Sequence, residues 1–257
     1  MIASLPMYDM PEVRAFTDAW WKGLSQHMGV VAGLERIPDY FQIWRNPELV
    51  FSQTCGYPLT HEFRGKLRLL ATPHYAVDGC SGASYRSILF AREEKPLPEF
   101  RGSVAAYNNM DSMSGMLALK LVFLPFAKSG RFFAKSRQTG THLESMAAVQ
   151  SDNADICAID AVTVAMARRY RPSAMEGLVE VGRSPSVPSL PYVTSRKRTS
   201  SEVERYRQGV AAAFSDTSLA ETRAALFLAG FSVLSEADYD VIAALEQKID
   251  RKGGLEL

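Results

Sequence analysis

Residues 154–169 read Ala154-Asp155-Ile156-Cys157-Ala158-Ile159-Asp160-Ala161-Val162-Thr163-Val164-Ala165-Met166-Ala167-Arg168-Arg169. The apolar run Ile156 to Ile159 has the length of a buried strand, and Asp160 ends it where the helix Ala161 to Arg169 begins. A strand that passes through a polar residue into a helix is the building unit of an α/β fold. The same alternation extends upstream. Ile2 to Met7 reads as a first strand, and Pro11 suits the first turn of a helix whose stripe is Val13, Phe16, Trp20, Leu24 and Met28. Leu49 to Thr54, Lys66 to Ala71, Ser87 to Phe90 and Gly102 to Tyr107 read as strands. Ser112 to Lys120 reads as a helix, Phe132 to Ser136 as a strand and Thr141 to Gln150 as a helix.

Downstream, Leu178 to Gly182 is a further strand, and the remainder reads as helical. Val203, Tyr206, Val210 and Phe214 form one stripe there, and Val241, Leu245 and Ile249 belong to another. Ser201 with Glu204, Ser218 with Glu221 and Ser235 with Asp238 match helix-start capping boxes.

Two proline-bearing stretches, Arg92 to Pro98 and Ser184 to Pro191, bracket a central unit. The expected organisation is therefore one discontinuous lobe, 1–90 plus 188–257, with a second lobe, 91–187, inserted into it. Two crossings between two α/β lobes describe a hinged ligand cleft.

The composition limits the function. The chain has 257 residues, 47% of them hydrophobic, and 29 Lys+Arg against 28 Asp+Glu, for a net charge of +1. That excludes disorder, coiled coil and a basic nucleic-acid-binding domain. The basic cluster Arg196-Lys197-Arg198 precedes a capped helix and reads as a solvated loop. The longest apolar run, Leu117 to Ala127, is broken by Lys120 and Pro125 and falls short of the ~20 residues that span a bilayer. Cys55, Cys80 and Cys157 are odd in number and lack metal spacing, so neither a disulfide framework nor a metal site is expected. The N-terminus has no signal-peptide pattern, which predicts a cytoplasmic chain unless a leader has been removed.

Three strand-to-helix junctions carry the candidate chemistry, because ligands of open α/β sheets bind beyond the strands' carboxyl ends. Asn108-Asn109-Met110-Asp111-Ser112-Met113-Ser114-Gly115 sets two hydroxyls at a helix start, and Gly115 admits a ligand close to the backbone. Asp111 or Ser112 can equally act as an N-cap alone. In Thr139-Gly140-Thr141-His142-Leu143-Glu144, Thr141 and Glu144 form a capping box, while His142 is placed to donate to an oxyanion. Asp160 can accept a proton from a ligand or cap the next helix. Tyr8 and the corner Gln53-Thr54-Cys55-Gly56-Tyr57 end the first lobe's strands in the same way.

Taken together these stretches resemble the phosphate/phosphite/phosphonate substrate-binding proteins of ABC importers, which have the type II periplasmic-binding-protein fold. The resemblance spans about residues 2–250 and rests on Asn109 to Gly115, Gly140 to Ser145 and Ala154 to Asp160. It implies that Ser112, the Met113 N–H, Ser114 and His142 hold a phosphoryl or phosphonyl group. Tyr8 and Tyr57 would close on that group from the first lobe, and Asp160 would read a proton or amine on the ligand. Met110 and Met113 stand where the family often has Pro, Asn or Thr, which implies a more apolar wall.

The expected function is thus binding of a small anion, with an importer permease as partner, no cofactor and no catalytic residue. Two alternatives stay open at this level. One is an enzyme on the same scaffold acting on a small acid, against which no nucleophile–base pair is visible in the sequence. The other is a ligand-sensing domain.

Overall fold

The computed structural model describes all of residues 1–257. Its strands begin with β1 (Ile2–Ser4), β2 (Leu49–Gln53), β3 (Leu67–Tyr75), β4 (Cys80–Ser81), β5 (Ser84–Tyr85), β6 (Ser87–Ala91) and β7 (Val104–Tyr107). They continue with β8 (Lys135–Gln138), β9 (Ile156–Asp160), β10 (Val179–Arg183), β11 (Val187–Pro188), β12 (Tyr192–Ser195) and β13 (Leu228–Ser232). The first helices are α1 (Arg14–Met28), α2 (Tyr40–Arg45), α3 (Gly56–Thr60), α4 (Ala118–Phe123) and α5 (His142–Gln150). The last are α6 (Ala161–Tyr170), α7 (Ser200–Ser215), α8 (Ala220–Ala225) and α9 (Glu236–Arg251).

Contacts divide the chain into two compact units. The first is Met1–Ala76, Ser81–Ser84 and Pro188–Tyr239; the second is Val77–Cys80, Tyr85–Val187 and Asp240–Leu257. Relative to the lobes read from sequence, β6 and the chain's last residues group with the second unit. β6 does so because it pairs with β9 and β10, and the tail because the Glu256 N–H donates to the Gly130 carbonyl.

The first unit is built on a five-stranded sheet in the order β1-β2-β12-β3-β13. β1 and β2 are parallel, and β12 runs antiparallel to both β2 and β3. Helix α1 follows a 3-10 turn, Pro11–Val13, and ends at Gly29, whose φ of 64° closes the turn back onto the Gln26 carbonyl. Its predicted stripe is buried at Val13, Trp20, Leu24 and Met28. The Trp20 indole N–H donates to the Tyr192 hydroxyl on the central strand β12, so an otherwise orphaned buried donor is satisfied. Trp21 and Trp44 are core residues as well, donating to the Ala32 carbonyl and the Ser52 hydroxyl.

The second unit has its own five-stranded sheet, in the order β10-β6-β9-β7-β8. β9, β7 and β8 are mutually parallel, whereas β6 runs antiparallel to β9. Ile88, Phe90, Ala106, Ile159 and Cys157 of the sheet pack with Met146 and Val149 of α5 and Val164 of α6 in one core. Because β9, β7 and β8 are parallel, the junctions after all three open at the same edge of this sheet. No helix is long and apolar enough to cross a membrane.

Several sequence expectations are corrected. The strand read at Phe132 to Ser136 lies instead at Lys135–Gln138. Phe132 and Phe133 join a cluster with Phe123 and Phe126, so their apolar signal reports packing rather than pairing. The true strand is polar because β8 is an exposed sheet edge, where Lys and Arg discourage pairing with other chains. The C-terminal region is not wholly helical, since β12 and β13 lie in it. The box at the start of α7 is Thr199 with Glu202 rather than Ser201 with Glu204. Asp216 takes the capping position assigned to Ser218, while Ser235 and Asp238 bond to each other as read.

Candidate functional site

The anion loop begins where β7 ends at Tyr107. Its helix opens with a π-helical turn, Met113–Leu117, before continuing as α4. The Leu117 N–H reaches back five residues to the Ser112 carbonyl, which widens the turn. Gly115 makes the turn sterically possible: a Cβ there would lie 2.0 Å from Asn108 Oδ1 and 3.2 Å from the Asn108 backbone nitrogen. Ser112 is the N-cap, its Oγ accepting from the Gly115 N–H at 3.0 Å. Ser112 Oγ stands 3.5 Å from Ser114 Oγ, and Ser114 Oγ is 2.9 Å from His142 Nε2. The structure therefore gathers Ser112, Met113, Ser114 and His142 at one place.

His142 arrives there because Thr141 caps α5, accepting from the Glu144 N–H at 3.1 Å. The loop carrying it is pinned to the anion loop. The Gly140 N–H donates to the Asn108 carbonyl, the Asn109 side-chain amide donates to the Gly140 carbonyl at 3.1 Å, and Thr139 bonds the Tyr107 carbonyl through both N–H and Oγ. His142 keeps some surface at one edge, but its Nδ1 is sealed from solvent without a hydrogen bond of good geometry. Burial lowers the ring to about 4, and the Ala158 backbone carbonyl opposes this only in part.

A pH dependence follows from that shift. Between the ordinary imidazole value of about 6.5 and about 4 the unfolded chain binds a proton that the folded chain does not. Stability is then expected to fall as pH drops through that window, by on the order of 3 kcal/mol in all. Urea midpoints measured from pH 7 to pH 4 should show the slope, and His142→Gln should flatten it; equal slopes in the two proteins would contradict it.

Asp160 is buried at the start of α6, and its Oδ1 accepts from the Val162 N–H at 2.7 Å and the Thr163 N–H at 3.3 Å. The capping reading of this residue is realised. Its charge also helps burial push the nearby Cys80 thiol up to about 12. Tyr8 and Tyr57 belong to the first unit. Tyr8 packs edge-on against Tyr75 with centroids 5.4 Å apart, and the Tyr75 hydroxyl receives the Gln53 amide. Tyr57 lies in α3, just beyond the end of β2, and stacks on His61 with centroids 3.9 Å apart. No group of three or more His, Cys, Asp or Glu is arranged to hold a metal ion.

Sequence reasoning missed three features: the π turn, the Ser114–His142 bond and the Asn109–Gly140 tie. One signal was available. Residues 112–143 carry Lys120, Lys128, Arg131, Lys135 and Arg137 with no Asp or Glu, so the anion loop opens a basic stretch despite the net charge of +1.

Comparison with known proteins identifies the architecture. The profile of the family described as ABC transporter, phosphonate, periplasmic substrate-binding protein matches residues 3–241. This chain belongs to that family. Among curated proteins none matches it in sequence. Among solved structures, a binding protein component of an ABC phosphonate transporter from Pseudomonas aeruginosa superposes with a TM-score of 0.81 at 17% identity, over 98% of this chain and 87% of that one. PhnD1 from Prochlorococcus marinus, in complex with methylphosphonate, gives 0.78 at 12% identity over 98% of each chain. XAC2383 from Xanthomonas citri, bound to ATP, gives 0.72 at 18% identity over 98% and 97%. The fold of this phosphonate-family protein is thus the α/β fold of periplasmic binding proteins, and its function is that of an ABC importer's substrate-binding component, which takes a small ligand.

Proposed function

We propose that this phosphonate-family protein binds a small phosphonate, phosphite or phosphate through the cluster at the π turn. Ser112, the Met113 N–H, Ser114 and His142 hold the phosphorus-bound oxygens. Tyr8 and Tyr57 are further ligand contacts, and Asp160 is the acceptor for a proton or amine on the ligand. The protein delivers this ligand to a permease and carries out no turnover.

The observation that carries the reading is the convergence of two hydroxyls and an imidazole within 3.5 Å steps at the head of one helix. Apart from the Gly115 N–H, which Ser112 Oγ takes, the first N–H groups of that helix lack intrahelical partners. Neutral hydrogen-bonding groups of this kind suit a tetrahedral oxyanion, each bond to the charged ligand contributing about 1.5–3 kcal/mol. Methylphosphonate and ATP, bound by two proteins of this fold, share that phosphorus oxyanion.

The Ser114–His142 contact also has the geometry of a nucleophile with its base. Its ring sits near 4, however, which makes it a weak base at neutral pH and favours holding over hydrolysis.

Isothermal titration against phosphate, phosphite, methylphosphonate and aminoethylphosphonate tests the proposal. Micromolar binding of at least one, about −8 kcal/mol, is expected. No heat with any of the four would defeat the ligand assignment, and release of a product would defeat the non-enzymatic one.

A further inference from the structure

The hydrogen-bond polarity of the Ser114–His142 pair has a consequence for which protonation state of the ligand is accepted. An imidazole with one proton carries it on one nitrogen and a lone pair on the other. Here Nδ1 is sealed from solvent, and the group that favours a proton on the ring is the Ala158 backbone carbonyl of β9. With Nε2 turned to Ser114, Nδ1 is the ring nitrogen left for that carbonyl, where a proton is favoured over a lone pair. Nε2 then has only a lone pair to offer, and the Ser114 hydroxyl 2.9 Å away must donate to it. Ser112 Oγ, 3.5 Å away, is too distant to compete with His142 Nε2 at 2.9 Å for the Ser114 proton.

With its proton spent on His142, Ser114 Oγ presents lone pairs to anything else that approaches. A bare anionic oxygen is repelled there, whereas a protonated P–O–H donates to it. We infer that the site takes its phosphorus oxyanion in the singly protonated form, with the ligand's own P–O–H donating to Ser114 Oγ and Ser114 donating to His142 Nε2. No covalent bond is made or broken. The ligand brings the proton when it arrives singly protonated, and draws one from solvent when it arrives fully ionised.

The surroundings leave the ring neutral. The titratable side chains on elements packed around it are Tyr107 at the end of β7, Cys157 and Asp160 on β9, and Glu144 on α5 itself. β6, the π turn and the 3-10 turn Pro172–Met175 carry none. Asp160 turns its Oδ1 to the α6 backbone, Glu144 bonds Thr141, and no charged side chain contributes to the ring's shift.

This inference rests on the ligand reading above, and the experiment separates the two. Wild-type protein is titrated with methylphosphonate across the ligand's second dissociation, in buffers of different ionisation enthalpy, with sulfate as the anion that lacks a proton. The expected result is affinity falling about tenfold per pH unit above that dissociation, about one proton taken up per ligand there, and no binding of sulfate. Binding that is independent of pH with no proton uptake, or sulfate bound as well as methylphosphonate, would overturn the inference while leaving the ligand reading intact. Absence of heat with every phosphorus oxyanion would overturn the ligand reading and the inference with it.

In His142→Gln the side-chain amide can donate to Ser114 and turn its hydroxyl outward. That variant is expected to lose the steep pH dependence and to narrow the gap between methylphosphonate and sulfate; an unchanged pH slope would overturn the role of His142. Ring nitrogen NMR of the wild type needs no variant, and a proton found on Nε2 instead of Nδ1 would also refute it.

Discussion

Replacing Ser112 and Ser114 together by Ala should weaken methylphosphonate binding by about 100-fold to 10,000-fold. The Ser112 bond to the ligand and the ligand's P–O–H bond to Ser114 are removed, at about 1.5–3 kcal/mol each for bonds to a charged partner, and tenfold corresponds to about 1.4 kcal/mol. Part of the loss can arise through the fold, because Ser112 also caps the helix by accepting from the Gly115 N–H. Losing a serine N-cap costs about 0.5–2 kcal/mol of stability. Ser114→Ala alone separates the two effects, since the Ser112 cap survives while the hydroxyl that links the helix to His142 disappears. Titration calorimetry beside a thermal melt reads both quantities. A Ser114→Ala protein that binds within twofold of wild type, with an unchanged melt, would remove this hydroxyl from the site.

The largest effect on stability is expected at Gly209. Helices α1 and α7 touch there so closely that a Cβ on Gly209 would lie 2.5 Å from Met28 Cγ, 2.8 Å from the Met28 nitrogen and 2.9 Å from its Cα. A side-chain atom can rotate away, but the Met28 backbone cannot move without parting the helices. Ala favours a helix over Gly by about 1 kcal/mol, so the collision has to outweigh that gain. Overpacking typically costs about 1–3 kcal/mol and more where backbone is involved, giving a net loss of roughly 2 kcal/mol. For a chain of this size that lowers the melting temperature by about 4–8 °C. Two controls sharpen the test. At Gly23 the added Cβ meets only the Leu219 side chain, which can rotate, so Gly23→Ala should cost less. At Gly33 nothing lies within 4 Å, so Gly33→Ala should be neutral. A Gly209→Ala protein as stable as the Gly33→Ala protein would show that the helices separate freely.

The two glycines that matter most also show where reading the sequence stops. Gly115 stood out because it follows two serines at a helix start, a local pattern. Gly209 did not, because its reason is a residue on another helix, Met28, far away in the chain. The same distinction separates the strands. β7 and β9 were legible as apolar runs of the right length, because both are buried within the second sheet. β8 was misplaced onto the Phe132–Phe133 pair, since an exposed edge strand carries no apolar signal. β12 was passed over altogether, although it is the central strand of the first sheet. Four residues are too few to show a period, and its partners β2 and β3 lie far upstream.

The site divides similarly. Thr141 caps α5 as its spacing requires, although Glu144 bonds the Thr141 hydroxyl and not its N–H, and Asp160 caps α6 with its Oδ1. Both are local events, settled by bonds to backbone two or three residues away. The meeting of Ser114 with His142 is not local. It depends on β7 and β8 lying side by side and parallel, with Tyr107 opposite Gln138, and on the Asn109–Gly140 tie that holds their two loops in register.

What the sequence determined by itself was the α/β class, the strand-to-helix junctions and the residue types that cap them, because each is written in hydrophobic period and short spacing. Tertiary structure alone decided which junctions share an edge, how near Ser114 comes to His142, and how near α7 comes to α1. Those outcomes are set by strand pairing and burial between segments distant in the chain. A buried imidazole facing a backbone carbonyl has no counterpart in any local run of residues.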